Sequence, residues 1–328
     1  MSVRNLTTVF HTRAGRFVAV DDVSFDVYPG ECLGIVGESG SGKSVAALSI
    51  MGLIDYPGKI ESGTIDFAGS DLRTLSEDQL RKVRGEEIGI IFQDPQTSLN
   101  PLFTVGTLLT DVVRAHRKMS KSDAASLAIE KLQLVGISAP ESRMKAYPWE
   151  LSGGQRQRVA IAMALLLGPK LIIADEPTTA LDVSIQAQIV DLLISLKDEL
   201  DFSLIFVSHD LGVIHSIANR VMVMYAGRMM ESGKVESLFR EPYHPYTAAL
   251  LKSAPTLRTD RSEPLQAILG RLPSPGALPS GCVFAPRCHY VQDDCLVRQP
   301  PFEPIGDAGR RVSCYHPLLA HPSGESAQ

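Results

Sequence analysis

Eight residues, Gly37-Glu38-Ser39-Gly40-Ser41-Gly42-Lys43-Ser44, fit the pattern G-x-x-x-x-G-K-[ST] and directly follow the apolar run Glu31 to Val36. That pattern has a mechanism only between a buried strand and a helix, so it constrains the fold more than any other feature. The glycines let the backbone curl until successive N–H groups face phosphate oxygens, and the following helix adds its positive N-terminal end. Lys43 would reach the β- and γ-phosphates, and the Ser44 hydroxyl would bind Mg²⁺. A plain glycine- and serine-rich turn is the competing reading, and the full match in its strand-loop-helix context disfavours it.

Two further short apolar runs, Leu171 to Ala174 and Leu204 to Val207, read as buried strands that end beside polar residues. Ligands of open parallel sheets bind beyond the carboxyl ends of the strands, so the residues at these ends become site candidates. Asp175 and Glu176 close the second run. Two consecutive carboxylates at such an edge suit a hydrated Mg²⁺ (Asp175) and the polarisation of an attacking water (Glu176). His209 follows the third run and suits a γ-phosphate contact. Gln93 carries an amide able to ligate Mg²⁺ or water, or simply to close a turn.

Short apolar runs alternating with amphipathic segments predict strands and helices on a mostly parallel sheet up to about residue 240. Asp123 to Val135 and Gly154 to Leu167 have helical character, and Ile185 to Leu200 sets Ile185, Ile189, Leu192, Leu193 and Leu196 on one stripe for core packing. Beyond Arg240 the composition shifts. Thirteen of the 21 prolines and four of the five cysteines lie there, which predicts a loop-rich region that needs a staple.

The net charge of −5 gives no global electrostatic reason to bind a nucleic-acid backbone. No apolar stretch reaches the ~18 residues of a membrane span. The N-terminal residues lack the apolar core of a signal peptide, so a cytoplasmic location is expected.

Leu151-Ser152-Gly153-Gly154-Gln155, about twenty residues before the paired carboxylates, completes a set that resembles the ABC-type ATPases. The pentapeptide matches the family signature, Gln93 its Q-loop, Ala180-Leu181-Asp182 its D-loop and His209 its switch histidine, all in the expected order. The resemblance covers roughly residues 1–240. It implies a P-loop α/β nucleotide-binding domain with an antiparallel β subdomain and a helical subdomain at about 105–165. It also implies ATP hydrolysis between two ATPase subunits closed head to tail, with Ser152, Gly153 and Gly154 binding the γ-phosphate of the partner's ATP. An aromatic near the N-terminus stacks on adenine in such proteins; Phe10 is at about the right distance, with Phe17 as the alternative.

A narrower similarity, to the ATP-binding subunits of dipeptide and oligopeptide importers, is carried by the nine residues from Gln93 to Pro101, by Tyr243 to Leu251 and by the cysteine-bearing tail, and extends over nearly the whole chain. It implies a non-identical second ATPase subunit, two integral membrane permease subunits, an external peptide-binding protein acting indirectly, no nucleic-acid partner, and a peripheral location on the cytoplasmic face of the inner membrane. The same wider group includes nickel and glutathione importers. A soluble ABC ATPase acting on DNA or ribosomes is the alternative from another class; the long coiled coil, second cassette or basic arm expected of one is not visible in the sequence.

Residues 241–328 are expected to form a small irregular domain held by Cys282, Cys288, Cys295 and Cys314. Cys32, inside the first strand, is excluded as a core residue. The gaps of five, six and eighteen residues match neither the usual paired zinc spacing nor a ferredoxin pattern, so thiolate chemistry alone leaves a cluster and zinc open. The importer resemblance implies a structural [4Fe-4S] cluster on the four cysteines, with zinc, and His289 or His316 as substitute ligands, as the alternative.

Overall fold

The computed structural model describes residues 1–13, 15–179, 181–253, 268–273, 276, 278–306 and 309–318. Ala180 of the expected D-loop lies outside them. The chain divides into two compact units: Met1–Asp26 with Leu33–Asp66 and Ser208–Gln328, and Val27–Cys32 with Phe67–Val207.

In the first unit, Ser2–Thr12 pairs antiparallel with Gly15–Asp26 on one side and with Gly58–Phe67 on the other. Val3, Leu6, Val9, Val20 and Val23 are fully buried along these strands. Their spacing is not a clean period of two because register shifts at Val3/Leu6 and Leu6/Thr8 insert extra residues. A second sheet centres on Cys32–Val36, which pairs parallel with Arg220–Tyr225. Arg220–Tyr225 turns back into Arg228–Lys234 through Ala226 and Gly227, both at positive φ (47° and 81°), the backbone of a tight two-residue hairpin. Arg311–Val312 then adds to Arg228–Lys234, and Glu303–Pro304 to Arg311–Val312. The proline-rich region is therefore joined to this sheet by backbone hydrogen bonds.

The second unit holds the parallel strands Ile88–Ile91, Leu171–Asp175 and Ser203–Ser208. Every residue of the last two is buried, which explains continuous apolar runs in place of alternation. This unit also holds the helices Val105–His116, Lys121–Leu134, Pro140–Arg143 and Gly153–Leu165. Thr104, Ser120 and Ser152 each cap a helix by accepting an N–H from the third residue beyond. Val183–Leu200 buries Ile189, Val190, Leu193 and Leu196, while Ile185 and Leu192 are half-buried at the edge of the stripe. Among the described residues no helix is long and apolar enough to cross a membrane.

Candidate functional site

In the first unit the loop between Cys32–Val36 and the helix Lys43–Ile50 is curled as the glycine pattern requires. Gly37, Gly40 and Gly42 sit at φ +155°, +80° and +100°. Two of these positions are also sterically closed to a side chain. A Cβ on Gly37 would lie 2.1 Å from the Met224 carbonyl oxygen, and one on Gly42 would lie 2.4 Å from that of Ala19. Within the loop Ser41 N–H donates to the Glu38 carbonyl at 3.1 Å, and Gly227 N–H from the hairpin turn donates to the Ser41 carbonyl at 2.9 Å. Lys43, buried, donates from Nζ to the carbonyls of Gly37 and Glu38 at 2.8 and 3.0 Å, so its charge arches across the mouth of the loop. The Ser41 hydroxyl is fully buried and has no hydrogen-bond partner among the described residues. A concave glycine-rich backbone opening a helix, with an ammonium across its mouth, is an anion site. The cradle therefore fits a phosphate.

Phe10 and Phe17 are cross-strand partners whose rings stack with centroids 6.3 Å apart. Both aromatic candidates thus form one platform. His209 follows Ser203–Ser208 and is exposed, beside Asp210, whose carboxylate caps the helix Leu211–Ile217 by accepting from Gly212 and Val213 N–H.

Cys282, Cys288, Cys295 and Cys314 line one small cavity together with His244, Phe284 and His316. Burial pushes the Cys282 and Cys288 thiols up and the Cys314 thiol up to about 12. The tightest ligand group among the described residues is different: Asp294, Cys295 and His316 offer donor atoms within 4.8 Å of one another, with His316 Nε2 2.9 Å from the Asp294 carboxylate. Cys32 is apart from these, in the core, with its thiol raised by burial to about 12.

In the second unit Asp175 is buried at the end of its strand and Glu176 follows at φ +44°, a left-handed conformation unusual for a glutamate. The strain is held by Glu176 N–H donating to the Val207 carbonyl at 3.0 Å. Glu176 Oε2 accepts from Gln93 Nε2 at 3.0 Å and from the Thr179 hydroxyl at 2.9 Å, so its carboxylate is aimed by two donors. Thr179 was not a sequence candidate; its only signal is the spacing of three residues after the glutamate. Ser152 opens the helix Gly153–Leu165 with a capping box, Ser152 Oγ accepting from Gln155 N–H and Gln155 Oε1 from Ser152 N–H. Gly153 and Gly154 occupy its first turn, where backbone N–H groups have no partner within the helix. Leu151 is buried beneath the cap. Gly154 also admits a close neighbour, since a Cβ there would meet Ile185 at 2.9 Å. Asp182 is the exposed cap residue of Val183–Leu200.

Residues 20–179 match the family described as ABC transporter, and residues 230–295 that described as oligopeptide/dipeptide transporter, C-terminal region. The chain is 46% identical to a dipeptide transport ATP-binding protein of Escherichia coli over 97% of both chains. It is 48% identical to an oligopeptide transport ATP-binding protein of Bacillus subtilis over 96% of both, and 49% to a putative peptide import ATP-binding protein of Brucella melitensis over 93% of this chain and 94% of the relative. Among solved structures, a dimeric bacterial ABC transporter cassette and a post-hydrolysis dimer of a cassette bound to ADP and Pi each superpose with a TM-score of 0.64 at 31% identity, over 71% of this chain and 98% of theirs.

Proposed function

The chain belongs to the ABC transporter family of ATPases, and from that premise we propose that it is the ATP-hydrolysing subunit of an importer of dipeptides or oligopeptides. The observation that carries the catalytic half is the phosphate cradle, with glycines closed to side chains and Lys43 across its mouth. The transport half rests on the relatives, which are named as dipeptide or oligopeptide transport and putative peptide import ATP-binding proteins.

In this reading the N–H groups of residues 37–44 and the Lys43 ammonium hold the triphosphate, and Phe10 stacks on the adenine. Ser44, Asp175 and Gln93 would hold Mg²⁺, whose charge would offset the negative charge of the phosphates. Glu176 takes the proton of the attacking water, with Gln93 and Thr179 fixing the direction of its lone pairs. His209 contacts the γ-phosphate, and Asp182 lies in the D-loop. Leu151, Ser152, Gly153, Gly154 and Gln155 serve the partner's nucleotide: the first-turn N–H groups of Gly153 and Gly154 form an anion site that the capping box leaves open to the outside.

The partners follow from the same reading. They are a second, homologous ATPase subunit, two permease subunits in the inner membrane, and an external binding protein that delivers the peptide. An exposed apolar patch supports docking to a membrane subunit. Leu102 and Phe103 are exposed, as are Tyr147 and Trp149, whose rings stack at 5.8 Å. Val105 and Gly106 N–H bond the carbonyls of Ala146 and Met144, which brings the two stretches together. Large exposed apolar groups in one place mark an interaction surface. The test is to purify the chain with its permease subunits in lipid and follow ATP hydrolysis. Turnover should rise when binding protein loaded with a dipeptide is added. Equal turnover with empty and loaded binding protein would sink the peptide reading.

For the C-terminal region, residues 241–328, we propose a [4Fe-4S] cluster on Cys282, Cys288, Cys295 and Cys314, in a structural role. Its support is the convergence of four thiols on one cavity. Four thiolates are the usual ligand set of such a cluster. The zinc alternative instead has Asp294, Cys295 and His316 in its favour. Anaerobically purified protein should contain iron and acid-labile sulfide at about four each per chain. One zinc per chain and no sulfide would replace the cluster with the smaller site.

A further inference from the structure

One side chain joins the cysteine-lined segment to the phosphate loop. Arg287 ends the short turn Ala285–Arg287, between Cys282 and Cys288. The turn is closed at both ends by backbone bonds, Ala285 N–H to the Cys282 carbonyl at 2.9 Å and Cys288 N–H to the Ala285 carbonyl at 3.2 Å. The Arg287 side chain is only 5% exposed. Its Nη1 donates to both carboxylate oxygens of Glu38, at 3.1 and 3.0 Å, and to the Tyr225 hydroxyl at 3.2 Å. The rest of the fork is anchored, with Nε on the Leu269 carbonyl at 2.8 Å and Nη2 on the Ile268 carbonyl at 3.0 Å. A guanidinium held at every face cannot follow its partner, so the partner must come to it.

That partner is a loop residue. Glu38 follows the first glycine of the cradle, and its own N–H donates to the Tyr246 hydroxyl at 2.9 Å. Its carbonyl is one of the two that receive Lys43. Arg287 and Tyr246 thus fix the side chain and the peptide plane of the residue whose carbonyl places the lysine. The electrostatics point the same way. A carboxylate on a loop built to gather phosphate repels its own ligand, in a site where water screens poorly. Arg287 neutralises that charge and draws it aside.

We infer that Arg287 is a positioning residue for the nucleotide loop, through which the integrity of the cysteine-lined segment controls how tightly the loop holds ATP. This rests on the ATPase reading and goes beyond it, because it gives the cysteines a consequence at the nucleotide.

The test is a binding measurement on the full-length chain, titrating Mg-ATP against a fluorescent ATP analogue, with thermal melting of each variant as a check on folding. Arg287→Met should weaken ATP roughly tenfold, as loss of a charged hydrogen-bonded partner does, while most of that loss should vanish when Glu38→Gln is present too. Cys288→Ser should weaken ATP in the otherwise native chain and add nothing to Arg287→Met. Wild-type affinity in Arg287→Met would overturn the inference. So would an equal loss with and without Glu38→Gln, since a merely structural arginine acts regardless of the charge on residue 38. Should Arg287→Met fail to fold, Arg287→Lys makes the same comparison: it keeps the charge but loses the fork, and should cost about threefold beside Glu38 and nothing beside Glu38→Gln. A native chain that binds no ATP would fail the ATPase reading instead.

Discussion

Glu176→Gln is expected to leave ATP bound and to cut its hydrolysis by about 10²- to 10⁴-fold, the usual worth of a general base. The substitution suits the geometry. Glutamine has the same shape, and its amide oxygen can still accept from the Thr179 hydroxyl and from Gln93 Nε2 as Glu176 Oε2 does. What it cannot do is take a proton. The backbone at φ +44° is unaffected, because the Val207 carbonyl holds the N–H and not the side chain. Binding and turnover should therefore separate, with an unchanged Kd for ATP and a kcat near background in the assembled importer. Turnover at the native rate would remove Glu176 from its role. Thr179→Val gives a graded companion result: it removes one of the two donors that aim the carboxylate, so kcat should fall without the collapse that loss of the base itself brings.

How much of this was readable in advance depends on how far apart the cooperating residues stand in the chain. The phosphate loop was readable because one contiguous pattern contains strand end, glycines, lysine and serine, and each has a local backbone reason to be there. The strands Leu171–Asp175 and Ser203–Ser208 came out one or two residues longer than their apolar runs, since Asp175, Ser203 and Ser208 are buried polar residues that hydropathy assigns to loops. The pairing of Arg287 with Glu38 spans 249 positions, and no periodicity or spacing marks it. Arg311–Val312 was invisible for a different reason. Two residues are too few to show alternation, and only their partner strand makes them a strand. The left-handed Glu176 was equally hidden, because such a conformation is imposed by neighbours and has no signature in a non-glycine residue.

The largest stability effect is expected at Glu231, which no sequence motif marks. It lies in the strand Arg228–Lys234 and is fully buried. Its Oε1 accepts from Tyr243 N–H at 2.9 Å and from Arg310 Nη2 at 2.8 Å, and its Oε2 accepts from His244 N–H at 2.9 Å. Arg310, 3% exposed, also donates to the Glu241 carbonyl at 2.6 Å and lies over the Tyr243 ring at 3.7 Å. Gly233 leaves room for it, since a Cβ there would stand 2.9 Å from Arg310 Cγ. Glu231→Ala strands a buried guanidinium and two buried N–H groups together. Removing one partner of a buried ion pair costs about 3–5 kcal/mol, so a midpoint drop of roughly 4–7 °C is expected in thermal unfolding. The double substitution Glu231→Leu with Arg310→Met separates the causes. Taking both charges away often restores the loss in a buried pair, but here the N–H groups of Tyr243 and His244 stay unpaired, at about 1–3 kcal/mol each. Recovery should accordingly be partial. Full recovery would show that the carboxylate serves only Arg310, while no loss in Glu231→Ala would show that water reaches the site. The partial result has a functional corollary. Tyr246, two residues beyond His244, accepts Glu38 N–H at its hydroxyl, so a chain loosened at 243–244 but still folded should bind ATP more weakly than its melting point alone suggests.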